Sequence, residues 1–196
     1  MYLKFADAIR VNATANFRYM DYWKHSMLVA TSARDISRRL GMNEISGDAF
    51  LAGMLHDLGF QLLIKYFPSE YSKILVLVEN GESDFLNAEK AVMGITHQDM
   101  GKFLAQKWGL PESLCDVLEF HHNPEESRQH TVLASIVHLA DCMTQEFKIG
   151  NTFWDKSISF QTDISDILGF ESLEVLGQFT SDYKEVFADT AESLIL

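Results

Sequence analysis

An all-α bundle is the fold this sequence predicts, and three observations predict it. Apolar residues recur at three- and four-residue steps through most of the 196 positions. Alternating β-branched runs of the kind that build strands are few. The periodic stretches are punctuated as helices are, with Gly41, Gly81, Gly94, Gly109 and Gly150 at their ends and Pro68, Pro111 and Pro124 near their starts or breaks. A length of 196 residues with 47% hydrophobic and 22% charged residues suits one domain with a sizeable core.

Taken in order, residues 2–16 read as a short helix. From Phe17 to Leu40 the apolar positions are Tyr19, Trp23, Met27, Ala30, Ala33, Ile36 and Leu40. Arg38 and Arg39 fall in the last turn and Gly41 follows, a helix stop. Ser46 is a cap for a helix predicted to run unbroken to Phe67. Pro68 opens the next, which ends at Asn80-Gly81. Ser83 is a cap for residues 84–93, and Thr96 for the helix that carries His97 and stops at Gly109. Residues 111–122 form a short helix ending in His121-His122, followed by the polar loop EESRQH. A long apolar helix spans Thr131 to Phe147. After the connector KSISFQTDISD, a last helix runs from Leu173 to the terminus, with Leu176, Phe179, Tyr183, Val186, Phe187 and Leu194 on its packing face. One domain over 1–196 is expected, its core at about 20–150 and its C-terminal packing helices at 163–196.

Charge and composition exclude several classes. A formal net charge of −12 repels polyanions, and the basic residues form no patch, so neither nucleic acid nor an anionic membrane surface is an expected partner. No stretch approaches the roughly 20 apolar residues of a membrane span. The N-terminus lacks a basic region followed by a long apolar run, so the expected location is cytoplasmic. Cys115 and Cys142 are too few for a disulfide framework and read as buried thiols. Neither lies in a nucleophile signature, and no glycine-rich phosphate loop is present.

What remains is a series of polar residues inside apolar helices: His25, His56-Asp57, His97, His121-His122 and Asp141. Each alone has a bland explanation. A single histidine on an apolar face is more often a hydrogen-bonded core residue than a ligand, and either aspartate could pair with an arginine. A single metal centre would account for the whole set, because imidazole and carboxylate suit first-row divalent ions. Gly101, four residues after His97, allows close approach of another helix. His130 reads as a capping or surface residue. His138, one turn before Asp141, reads as packing or as support for it.

The order and the surrounding text carry a resemblance. His25, HDLG at 56–59, HxxxG at 97–101, HH at 121–122 and AD at 140–141 resemble the HD superfamily of metal-dependent phosphohydrolases. With FLAGMLHDLG, KWGLPESLCDVLEFHHNP and ASIVHLAD, the chain is most similar to the HDOD domain of bacterial signalling proteins, over about residues 20–195. The resemblance implies an HD-domain helical bundle with the metal site in its core. It implies two divalent transition ions (Fe, Mn, Ni or Zn), one held by His25, His56, Asp57 and Asp141. Asp57 would bridge to the second, held with His97, His121 and His122, and would be the catalytic residue.

Such a pair acidifies water and stabilises charge on an attacked phosphorus, so the implied chemistry is phosphoester or phosphodiester hydrolysis. A nucleotide or small phosphoester is the implied ligand, and a signalling protein the implied partner. Two departures argue against cyclic di-GMP as substrate. Phe60 stands where the HD-GYP phosphodiesterases carry a phosphate-binding lysine, and no GYP motif follows the paired histidines. Many HDOD domains act as regulatory modules without turnover, which is the alternative. The N-terminal helical half of longer HDOD proteins is not visible, so the chain is either short or a piece of a longer protein.

Overall fold

The computed structural model describes residues 19–146 and 163–193, with side chains described up to residue 184. Every regular element among them is helical: α1 (Tyr19–Arg39), α2 (Ser46–Leu55), α3 (Leu58–Tyr66), α4 (Pro68–Glu79), α5 (Phe85–Met93), α6 (His97–Trp108), α7 (Glu112–Phe120), α8 (Thr131–Glu146), α9 (Ile164–Ile167) and α10 (Leu173–Ser193). Short 3₁₀ turns occupy Asn43–Ile45 and Pro124–Glu126. The expected helix at 2–16, the first part of the connector and the side chains of Val186, Phe187 and Leu194 lie outside the described residues. No described helix is long and apolar enough to cross a membrane.

The helix ends follow local chemistry. Thr96 and Asp99 form a reciprocal capping box on α6: the Thr96 N–H donates to Asp99 Oδ2 at 2.8 Å, and the Asp99 N–H donates to Thr96 Oγ1 at 3.3 Å. Gly109 closes the same helix at φ +68°, in the left-handed region that favours glycine. Two expected caps move. Asp84, not Ser83, accepts the Asn87 N–H at 2.8 Å to cap α5, because Asp84 is the extended residue immediately before the helix. Ser46 instead donates to the Asn43 carbonyl at 2.8 Å, since a 3₁₀ turn already leads into α2.

The largest departure is the helix expected over 46–67. It breaks at His56-Asp57, where Asp57 takes φ −92° and ψ 15°. The two halves pack too closely against different partners for one straight rod to serve both. A Cβ on Gly53 would lie 2.8 Å from the Ala30 Cα of α1, and one on Gly59 would lie 1.8 Å from the His97 carbonyl oxygen of α6. Hence α2 lies on α1, while α3 lies on α6.

Three apolar clusters surround the break. The largest joins α1, α2, α7, α8, α9 and α10 through Val29, Ile36, Val117, Ile136, Met143, Ile164 and Tyr183. A second joins Tyr22 of α1 with Phe60, Ile64, Tyr71, Phe85 and Met100. A third, smaller one holds Leu58, Leu104, Cys115 and Leu118. Ala30, Ala33 and Ile36 of the expected α1 stripe are buried, but in its first half the buried face is rotated: Tyr22, His25, Ser26 and Val29 are buried, while Trp23 and Met27 are only partly so. The C-terminal α10 docks on α1 where the Tyr183 hydroxyl donates to Asp35 at 2.7 Å and the Arg39 guanidinium covers the Tyr183 ring. Both cysteines are buried thiols, as expected.

Candidate metal centre

The fold brings all seven singled-out residues to one place. α1 supplies His25, the α2–α3 break supplies His56 and Asp57, and α6 supplies His97 from its first turn. The C-terminal end of α7 supplies His121 and His122, and α8 supplies Asp141. Each is at most 4% exposed. They fall into two groups, His25 with His56 and Asp141, and Asp57 with His97, His121 and His122, either of which could hold a metal ion.

Asp57 faces both groups. Its Oδ2 lies 3.3 Å from His56 Nε2 and 3.7 Å from His25 Nε2, and its Oδ1 lies 3.6 Å from both His97 Nε2 and His121 Nε2. Within the first group His25 Nε2 is 3.3 Å from His56 Nε2 and 3.2 Å from Asp141 Oδ1. Within the second, His97 Nε2 is 3.1 Å from His122 Nε2 and 3.4 Å from His121 Nε2. Donors bonded to one ion at about 2.0–2.2 Å in a tetrahedral or octahedral array stand about 3–3.5 Å apart. Most of these spacings fall in or near that range.

The far sides of the rings fix which nitrogen carries the hydrogen. His56 Nδ1 donates to the Gly53 carbonyl at 2.8 Å, and His121 Nδ1 to the Leu118 carbonyl at 3.2 Å. His97 Nδ1 donates to Glu89 Oε2 at 2.9 Å. His25 Nδ1 meets Thr144 Oγ1 at 3.4 Å, whose own hydrogen goes to the Asp141 carbonyl at 2.8 Å, so the hydroxyl accepts. Carbonyls and carboxylates only accept, so Nδ1 carries a hydrogen in each of these rings and Nε2 is the atom turned to the centre. With the rings neutral, the facing Nε2 lone pairs share no hydrogen. A cation between them satisfies all of them, and on this donor chemistry the residues fit a metal.

Electrostatics favour the metal-ready state at Asp57, Asp141, His121 and His122. Burial pushes the Asp57 carboxyl up, but His56, His121 and His97 outweigh it and hold the group well below the usual carboxylate range. Asp141 is likewise lowered, against its burial, by His25 and His56. Burial drives His121 down to about 4 and His122 well below its ordinary value, helped by neighbouring imidazoles. His56 goes the other way, to about 9, because Asp57 and Asp141 overcome its burial. Asp57 and Asp141 are thus held ionised and His121 and His122 neutral, as a divalent ion requires, whereas His56 and His97, the latter raised against its burial by Glu89 and Asp57, give up a proton when an ion binds.

Sequence reasoning did not single out Glu89 or Thr144. Glu89 of α5 is fully buried and accepts both the backbone N–H and the ring Nδ1–H of His97 at 2.9 Å. Its only trace in the sequence is a charge on the Ala88 face of a short helix. His138 is buried, and its Nδ1 donates to the His121 carbonyl at 2.7 Å, so it supports the paired histidines. His130 is half-buried and its N–H donates to Ser127 Oγ at 3.2 Å, so Ser127, rather than His130, supplies the polar side chain at the start of α8. Phe60 is buried and lies flat under His97, ring centroids 4.2 Å apart at 17°. Gly101 allows the expected close approach, with a Cβ there 3.3 Å from Leu118 and 3.4 Å from the Gly59 nitrogen. Residues flanking His97 and His121, namely Thr96, Gln98 and Phe120, line a surface pocket that also holds Asp99, Glu119 and Glu126.

Comparison with known proteins places this geometry. The HDOD domain family model matches residues 2–124, a span that includes His25 through His122 and ends before Asp141. A solved HDOD domain protein of unknown function from Geobacter sulfurreducens is 24% identical with a TM-score of 0.76, covering 92% of this chain and 65% of its own. A candidate phosphohydrolase from Shewanella amazonensis SB2B is 21% identical with a TM-score of 0.69, covering 94% of this chain and 67% of its own. A candidate signal transduction protein from Marinobacter aquaeolei VT8 is 24% identical with a TM-score of 0.72, covering 94% of this chain and 41% of its own. An uncharacterized protein of Treponema pallidum (strain Nichols) is 25% identical over 135 residues, which are 68% of this chain and 26% of that protein. The chain thus spans about a quarter of that curated relative. The structural likenesses establish the shared helical fold.

Proposed function

The chain belongs to the HDOD domain family, and on that premise we propose that it holds two divalent transition ions and hydrolyses a nucleotide or small phosphoester. The observation that carries this reading is Asp57, whose two oxygens face separate groups of histidines at 3.3–3.7 Å. His25, His56 and Asp141 would hold one ion, and His97, His121 and His122 the other. When bound, such ions supply positive charge for a phosphoryl group and acidify water for the attack. The chain's own part is to hold the Nε2 lone pairs convergent, keep both carboxylates ionised and keep bulk water off the donors.

Metal content and turnover test this together. Two ions per chain are expected after purification without chelators, with slow cleavage of bis-p-nitrophenyl phosphate once Mn, Fe or Ni is restored. Asp57→Asn removes the bridging charge and is expected to empty both positions and abolish turnover. Complete inactivity of a metal-loaded protein across a nucleotide panel would reject the hydrolase. A second reading is a signalling module that binds metal without turnover. It is favoured by donors at most 4% exposed, and by Phe60 filling the place of a phosphate-binding cation. That reading expects a protein partner and signalling that tolerates Asp57→Asn.

A further inference from the structure

The two halves of the centre are not equal in charge. His25 and His56 have Asp141 beside them, 3.2 Å from His25. His97, His121 and His122 have no carboxylate of their own beyond the shared Asp57. Behind His97, however, stands Glu89. Its Oε2 accepts the His97 backbone N–H and the Nδ1–H, both at 2.9 Å, and the side chain is 1% exposed. Its other oxygen, Oε1, accepts no hydrogen bond from the described residues, and no described lysine or arginine pairs with it. A buried carboxylate compensated only by an imidazole and one amide is costly unless positive charge lies close by. The ring it holds turns its other nitrogen toward Asp57, His121 and His122.

We propose that Glu89 is the positioning residue of the three-histidine half, acting through His97 as the carboxylate that half otherwise lacks. It would fix the Nδ1–H tautomer, raise the donor strength of Nε2 and place negative charge one ring away from the ion. With Asp141 serving the other half directly, each half then has one carboxylate besides Asp57. The assignment rests on the two-ion reading above. It also ties metal uptake to packing between helices: Glu89 stands on α5 and grips the first residue of α6, so an ion at His97 would draw those helices together.

The test uses the full chain, titrated with Mn(II) against a competing chelator, with bound metal counted by elemental analysis. Glu89→Gln keeps an oxygen that can accept from His97 but removes the charge; Glu89→Ala removes both. Loss of a carboxylate that orients a metal-binding histidine costs about 10–100-fold in affinity. Both variants are therefore expected to weaken one of the two bound ions by about that factor and leave the other as in wild type. Nitrogen-15 NMR of the metal-free protein reads the ring directly: Nδ1–H on His97 in wild type and Glu89→Gln, a tautomer mixture in Glu89→Ala. Variants that are merely less stable, but bind both ions with wild-type affinity once folded, would overturn the assignment, as would an Nε2–H tautomer of His97 in wild type. A wild-type protein that takes up no second ion overturns the two-ion reading and this assignment together. Two ions held equally by wild type and both variants overturns this assignment alone.

Discussion

Gly59→Ala separates the demands of packing from those of helix propensity. Gly59 lies within α3, where alanine is intrinsically favoured by about 1 kcal/mol. A Cβ at that position would stand 1.8 Å from the His97 carbonyl oxygen, 2.6 Å from its carbon and 2.9 Å from its Cα. Cβ contacts stop at 3.0 Å, so α3 and α6 must part by at least about 1.2 Å. All three obstructing atoms are backbone, so no rotamer change relieves the clash. Overpacking of this kind costs about 1–3 kcal/mol and more when backbone moves, so a net loss of about 3 kcal/mol is expected after the propensity gain. With an m-value of about 2 kcal/mol/M, the urea midpoint falls by about 1.5 M. His97 moves with the backbone it belongs to, so the three-histidine group also loses its spacing, and metal bound per chain is expected to fall from two to one. Gly177→Ala is the control. It lies in α10 with nothing within 4 Å of a Cβ, and a gain of about 0.5–1 kcal/mol is expected. A Gly59→Ala protein with an unchanged or raised urea midpoint would refute the reasoning.

Three further outcomes are expected. The metal-free protein should lose stability in acid: burial lowers His121 to about 4 and lowers His122, so their contribution is full above the unfolded imidazole value of about 6.5 and is lost as pH falls toward 4. The lowered Asp57 and Asp141 add a loss of the same sign at lower pH, so urea midpoints that rise between pH 6.5 and 4 would contradict the assignment. Phe60→Lys should not create a phosphate-binding enzyme. It would bury an ammonium where the Phe60 ring stacks on His97 at 4.2 Å, costing about 3–5 kcal/mol, and cyclic di-GMP turnover should stay absent in a direct assay. Zinc should bind but support less turnover than manganese or nickel. Each half offers four donors counting Asp57, enough to complete a four-coordinate zinc site, so equal rates with zinc and manganese would count against the donor assignment.

Much of this was legible in the sequence because helical periodicity and expensive residues are both local signals. An aspartate in ASIVHLAD or a histidine in AGMLHDLG needs a partner whatever the fold, and Asp141 and His56 are buried among the expected set. The stop at Gly41 and the cap at Thr96 were legible for the same reason: each is decided by a few neighbouring residues. What escaped depended on tertiary contact. Nothing within 84–93 shows that Glu89 meets His97 eight residues later, because the intervening Gly94 turn sets that meeting. Thr144 was invisible as a support because a threonine on a core helix is ordinary until its partner is known, and His138, readable as packing or as support for Asp141, holds the His121 carbonyl instead.

The broken helix at His56-Asp57 shows how the two kinds of information combine. On a continuous helix these neighbours point about 100° apart, and Asp57 would have to reach across to either group. Gly53 and Gly59, three residues before His56 and two after Asp57, are what let the segment fold otherwise. Each removes a Cβ from a contact under 3 Å, one toward α1 and one toward α6. With α2 committed to the first helix and α3 to the second, the joint falls between them, and Asp57 stands at the N-terminal boundary of α3, its side chain making no capping hydrogen bond. Its carboxylate then faces the α1–α8 histidine group with one oxygen and the α6–α7 group with the other. Asp57 therefore faces both groups because of the packing around it. An HDxG sequence without the two close approaches would be expected to remain one helix and to lose that two-sided placement.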